Sequence, residues 1–127
     1  MKPKSRDQNR KRQAAEKRGR RAELIAAAHV SLRGYQLLAR RYKTGAGEID
    51  LIAKRNDTLA FMEVKARETV DLSIDAVTPT ARRRIERAGR VFLSKNPSYA
   101  EFGVRYDIIA VKGLSVHWLR DAWRENE

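Results

Sequence analysis

Two short segments carry acids at a spacing that brings them together if the chain there is extended. Side chains alternate along a strand, so in Gly47-Glu48-Ile49-Asp50-Leu51-Ile52-Ala53 the spacing puts Glu48, Asp50 and Ile52 on one face, with Ile49, Leu51 and Ala53 on the other. In Phe61-Met62-Glu63-Val64-Lys65 it puts Phe61, Glu63 and Lys65 on one face, against Met62 and Val64. Asn56-Asp57 between them has turn composition, and a two-residue hairpin loop in which Arg55 faces Thr58 sets Asp50 across from Glu63 and Glu48 across from Lys65. Like charges directly opposite one another destabilise a sheet and raise each other's proton affinity unless something positive lies between them. A hard divalent cation supplies that charge, because Mg²⁺ takes one or two carboxylates and fills its other positions with water and phosphate oxygens. The same pattern also fits the solvated face of an ordinary antiparallel hairpin. Glu23, beside Leu24 and Ile25, is a further acid, for which a plain helix-surface position is the default.

These acids need elements to hold them. A chain of 127 residues has room for one compact domain and a tail. Residues 1–18 are polar, basic and without periodicity, which predicts a disordered arm ahead of a domain over residues 19–127. Ala22, Leu24, Ile25, Ala28 and Leu32 then recur at helical spacing, and Gly34 supplies a stop. Three strand-like runs follow at residues 35–42, 48–53 and 58–66, an antiparallel meander broken by Thr44-Gly45-Ala46-Gly47 and by the Asn56-Asp57 turn. Residues 67–77 read as a polar, acidic loop. Thr78 caps a second helix with Pro79 at its first position, and Ala81, Ile85, Ala88 and Phe92 form its apolar stripe until Asn96-Pro97. Its other face carries Arg82, Arg83, Arg84, Arg87 and Arg90. Two more strands, 104–111 and 115–119, flank a turn at Lys112-Gly113-Leu114, and the last residues read as a frayed helical turn. Helix, three antiparallel strands, helix and two strands predict an α/β or α+β domain, a central sheet flanked by helices.

The formal net charge is +12, and residues 1–21 alone hold ten basic residues against two acids, Asp7 and Glu16. That excess favours a polyanionic partner. Cysteine is absent, which excludes disulfides, thiolate zinc sites and a cysteine nucleophile. No apolar run approaches the length of a membrane span, and residues 2–21 contain no large aliphatic side chain of the kind a secretory signal needs, so a cytoplasmic protein without a membrane partner is expected.

The segment from Gly47 to Ala53, followed by Phe61-Met62-Glu63-Val64-Lys65-Ala66-Arg67, resembles the signature of the bacterial YraN family, uncharacterised proteins similar to nucleases of the PD-(D/E)XK superfamily. The resemblance extends to Gly19-Arg20-Arg21-Ala22-Glu23, to Gly34-Tyr35 and to Arg105-Tyr106-Asp107 with Val111, and covers roughly residues 18–123. It implies a restriction-endonuclease-like core with a mixed sheet. It makes Asp50 and Glu63 the ligands of Mg²⁺ or Mn²⁺, with the Val64 carbonyl as a third, and Lys65 the catalytic lysine. Glu23 becomes a helix-borne acid that completes the site, as in Holliday-junction-resolvase-like proteins, and Glu48 an accessory acid. A homodimer is a further expectation by this analogy. The chain departs from the pattern at Thr80-Ala81-Arg82, where the family usually has a lysine, and at Arg41, where it commonly has an asparagine.

Three functions fit these readings. One is a metal-dependent endonuclease acting on DNA or structured nucleic acid, with Arg82, Arg83, Arg87 and Arg90 and the basic arm on phosphates. Another is a non-catalytic nucleic-acid-binding module that keeps the nuclease fold. The last makes the arm the working part, docking on structured RNA. His29 and His117 read as packing residues, Trp118 and Trp123 as core aromatics, and Asp107 as the buried partner of an arginine.

Overall fold

A computed structural model describes residues 5–126. The chain runs α1 (Arg6–Leu32), β1 (Gln36–Lys43), β2 (Glu48–Arg55), β3 (Thr58–Lys65), α2 (Val70–Asp75), α3 (Pro79–Lys95), a short 3₁₀ turn (Pro97–Tyr99), β4 (Gly103–Lys112) and β5 (Ser115–Trp123). The five strands form one sheet in sequence order, β1-β2-β3-β4-β5. All neighbours are antiparallel except β3 and β4, which are parallel because α2 and α3 intervene. This is the expected α+β order with a mixed sheet.

The β2–β3 hairpin turns at Asn56-Asp57, with Asn56 taking the left-handed conformation (φ 53°) that asparagine tolerates better than most residues. Arg55 pairs with Thr58 and the register runs unbroken to Leu51 opposite Met62. Each face of the sheet is closed by a helix. Under α1 lie Leu51, Ala53, Ala60, Met62, Val64, Ile109 and Val111 with Ala22, Ala26, Ala27 and Val30. Under α3 lie Ile49, Ile52, Leu59, Phe61 and Ile108 with Ile85, Ala88 and Phe92.

Several expectations need correction. The first helix starts at Arg6 and not near Gly19, so residues 6–18, expected to be disordered, are helical; residues 1–4 of the expected arm lie outside the described residues. Ser5 and Gln8 form a reciprocal capping box, Arg12 and Glu16 pair at i,i+4, and extending a helix already nucleated on the sheet avoids the cost of starting one. Its buried face is Ala22, Ala26, Ala27 and Val30, while Leu24, Ala28 and Leu32 are exposed, because small side chains let the helix lie close on the sheet. The expected loop at 67–77 contains α2, capped by the Thr69 hydroxyl, which accepts from the Leu72 N–H.

The expected frayed turn at the end is strand. A bulge opposite Asp107 lets β5 continue to Trp123, whose ring stacks on Tyr106 and whose Nε1 donates to Glu86 at 3.0 Å. Asp107 is fully buried and is the arginine partner foreseen: it accepts from Arg105 Nε and Nη2, from Trp118 Nε1 and from the Asp121 N–H at 2.8–3.0 Å. His29 meets Trp118 edge-on, but His117 is exposed, since Val116 and Trp118 take the inward positions of this edge strand. Among the described residues no helix is long and apolar enough to cross a membrane.

Candidate active site

The ladder between β2 and β3 stops at Leu51–Met62, one step short of the two acids. At that step Asp50 turns its carboxylate onto β3, where Oδ2 accepts the Val64 N–H at 2.8 Å. On the other side, Arg40 pairs with Leu51 and Tyr42 with Ile49, so Arg41 and Asp50 drop out of the β1–β2 ladder together. Arg41 there has φ 51°, a left-handed conformation unusual for a side chain of its size. Strict alternation consequently fails. Ile49 joins Ile52 in the core under α3 while Leu51 belongs to the core under α1, so the expected common face of Glu48, Asp50 and Ile52 is not kept. The preceding turn is pressed against α3, where a Cβ on Gly47 would sit 2.7 Å from the Arg84 carbonyl oxygen.

Asp50 and Glu63 nevertheless meet side chain to side chain. Glu63 has its proton affinity raised, to a pKa of about 9, first by burial, then by its hydrogen bond with Asp50 and the Asp50 charge, with Lys65 opposing and Glu48 adding slightly. Two carboxylates held this close disfavour each other's charge, which is the electrostatic setting that a cation relieves. Both acids are half-buried, as is Lys65, and Glu48 is exposed. All four line one open cleft of about 300 Å³ between α1 and the β1–β3 part of the sheet. Glu23 reaches this cleft from α1, and Arg41 Nε donates to both of its carboxylate oxygens, at 3.2 and 3.0 Å. Burial raises the Glu23 pKa, the Arg41 hydrogen bond lowers it, and the charge of Asp50 raises it again.

Among the described residues no three acidic, histidine or cysteine side chains converge tightly enough to enclose an ion. Two oxygen donors with the rest of the shell left open suit Mg²⁺ or Mn²⁺, which keep waters and recruit phosphate oxygens, and do not suit a closed structural zinc or calcium site. The donor set therefore fits the cation that the resemblance implies.

The α3 arginines lie elsewhere. Arg82 donates to the Val77 carbonyl and covers Trp123, Arg90 pairs with Glu125, Arg83 and Arg87 are exposed, and none of them lines the acidic cleft. The cations that do line it are Arg20, Arg41, Lys43 and Lys65. Arg20, Arg41 and Lys43 are cleft residues beyond those expected from the motif. The signal was the helical spacing of Glu16, Arg20 and Glu23 and the period-two spacing of Arg41 and Lys43. A larger cavity of about 410 Å³ opens on the other flank of α1 among Arg18, Arg21, Arg67 and Lys112, with Glu68 as its one acid.

Comparison with known proteins agrees with the motif. The chain is 46% identical over 121 residues to the UPF0102 protein amb4503 of Paramagnetospirillum magneticum, covering 91% of this chain and 94% of that one. It is 50% identical over 100 residues to a UPF0102 protein of Chelativorans sp., covering 79% and 81%, and 46% identical over 100 residues to the UPF0102 protein mlr4633 of Mesorhizobium japonicum, covering 79% and 80%. Residues 22–111, from the buried start of α1 on the sheet to the end of β4, match the uncharacterised protein family UPF0102, and the chain belongs to that family.

Proposed function

We propose that the cleft between α1 and β1–β3 hydrolyses phosphodiester bonds of DNA or structured nucleic acid, with a divalent cation held by Asp50 and Glu63. The observation that carries this reading is the contact of those two half-buried carboxylates beside Lys65 in a cleft whose rim is cationic. Asp50 is fixed in place by the Val64 N–H, so its oxygens need not reorganise on binding. Glu63, deprotonated, would supply the second oxygen ligand, and the Val64 carbonyl, from another residue of the cleft, would be the third candidate. When bound, such a cation neutralises phosphate charge and makes a water more acidic.

Lys65, two residues after Glu63 on β3, orients the attacking water or offsets the negative charge that grows on phosphorus-bound oxygen. Water adds to phosphorus, the ester P–O bond breaks, and the products are a phosphomonoester and an alcohol. Arg20 and Lys43 draw the polyanion toward the cleft.

The test is a calorimetric Mn²⁺ titration run beside a cleavage assay on branched and flapped DNA. Wild type should bind Mn²⁺ and cut; Asp50→Asn and Glu63→Gln should lose both, and Lys65→Ala should bind Mn²⁺ yet cut about 10²- to 10³-fold more slowly. Cleavage retained by Lys65→Ala or Asp50→Ala overturns the assignment. Salt-sensitive DNA binding without any Mn²⁺ binding would instead mark a nucleic-acid-binding module on a nuclease fold.

A further inference from the structure

We infer that Arg41 is the residue that grips the non-bridging oxygens of the bound phosphodiester, and that Glu23 acts by holding Arg41 in place and not as a ligand of the cation. The inference rests on reading the cleft as a phosphodiester site and assigns a binding contact within it. Arg41 lies opposite Asp50 where the β1–β2 ladder is interrupted, with φ 51° turning its side chain into the cleft. Its Nε alone engages Glu23, donating to both carboxylate oxygens at 3.2 and 3.0 Å. Among the described residues, Nη1 and Nη2 make no other hydrogen bond. The Glu23 side chain is 12% exposed and that of Arg41 38% exposed, so the carboxylate is enclosed and the guanidinium opens to the cleft.

The geometry divides the guanidinium into two working edges. One is occupied by the enclosed acid, which fixes the plane; the other presents terminal N–H donors in the fork that matches paired phosphate oxygens. A Glu23 carboxylate with both oxygens on Arg41 is badly placed to join the Asp50–Glu63 pair, in keeping with the lack of any three converging acids among the described residues. A lysine at position 41 would keep the charge but lose the fork.

The experiment uses the full chain and two readouts: fluorescence anisotropy of a labelled flapped DNA duplex in EDTA, and calorimetric Mn²⁺ binding. Arg41→Gln and Glu23→Gln should each weaken duplex binding about tenfold, the scale of a lost charge-assisted contact, while Mn²⁺ affinity stays within about twofold. Arg41→Lys should restore only part of the loss, and it replaces Arg41→Gln if that variant melts early. A tenfold loss of Mn²⁺ affinity in Glu23→Gln overturns the inference by making Glu23 a ligand, and so does unchanged duplex affinity in Arg41→Gln. The two readings fail separately. Wild type that binds Mn²⁺ but no duplex removes the Arg41 assignment and leaves the metal pair standing; wild type that binds duplex through Arg41 but no Mn²⁺ removes hydrolysis and leaves Arg41 standing.

Discussion

Glu63 keeps its proton near neutral pH because burial and Asp50 both disfavour its charge. Its folded pKa, about 9, stands above the 4.5 of an ordinary glutamate. The group's stabilising contribution is therefore complete below pH 4.5 and declines as pH rises toward 9, since only the folded state holds the proton in that window. Metal-free wild type should lose melting temperature between pH 5 and pH 9 relative to Glu63→Gln, which has nothing to titrate there. Binding of Mn²⁺ at pH 7 should release about one proton, because the ligand must be deprotonated, and its affinity should climb with pH. Calorimetry in two buffers of different ionisation enthalpy measures that proton; zero release in wild type contradicts a Glu63 that holds its proton at pH 7. Counting from the two-residue turn gives the β2–β3 register as far as Leu51 opposite Met62, one step short of Asp50 and Glu63. The ladder ends there, and neither the expected Asp50–Glu63 nor the expected Glu48–Lys65 cross-strand pair is part of it. The Arg41–Glu23 pair could not be reached by counting at all. It joins a strand to a helix across the layers of the fold, and depends on a left-handed residue that no alternation pattern announces.

At the scale of elements, α3 was legible and α1 was not, for reasons of chemistry. Thr78 and Pro79 fix the start of α3, Asn96 ends it, and its apolar stripe at Ile85, Ala88 and Phe92 has no competing pattern. The stripe expected on α1 weighted large residues, whereas the sheet-facing surface is alanine-rich, and capping at Ser5 extends a helix with almost no apolar content before Ala22. Gly89 shows how closely α3 sits on the sheet. A Cβ there would lie 2.8 Å from the ring of Phe61, which is itself fully buried and has nowhere to move. Gly89→Ala should gain roughly 0.5–1 kcal/mol of helix propensity and lose about 1–3 kcal/mol to overpacking, so the loss wins. The expected result is a fall in melting temperature of about 3–8 °C. Combining Gly89→Ala with Phe61→Leu should cost less than the sum of the two single changes, since the smaller side chain makes room for the methyl group.

Over the whole molecule, charge and stability reside in different places. Every residue from Ser5 to Arg21 is exposed, and burial on the sheet begins only at Ala22. The segment nevertheless carries much of the chain's positive charge. That asymmetry was plain in the sequence; the helical form of the segment was not, because polar periodicity leaves no trace of a face that packs on nothing. Deleting residues 1–15, which spares the cleft residues Glu16 and Gly19, should leave the melting temperature within about 2 °C of wild type, as exposed residues contribute little to folding free energy. Nucleic-acid binding should respond differently. The deleted segment holds six basic residues and one acid. If these meet phosphates, the slope of log K against log salt should flatten by about 0.9 for each duplex phosphate contact removed, with affinity falling at low salt most of all. Anisotropy titrations across a salt series give that slope directly. A slope unchanged by the deletion would assign the electrostatic attraction to the cations nearer the sheet, Arg20, Arg41 and Lys43, and would make the helical extension a bystander to binding.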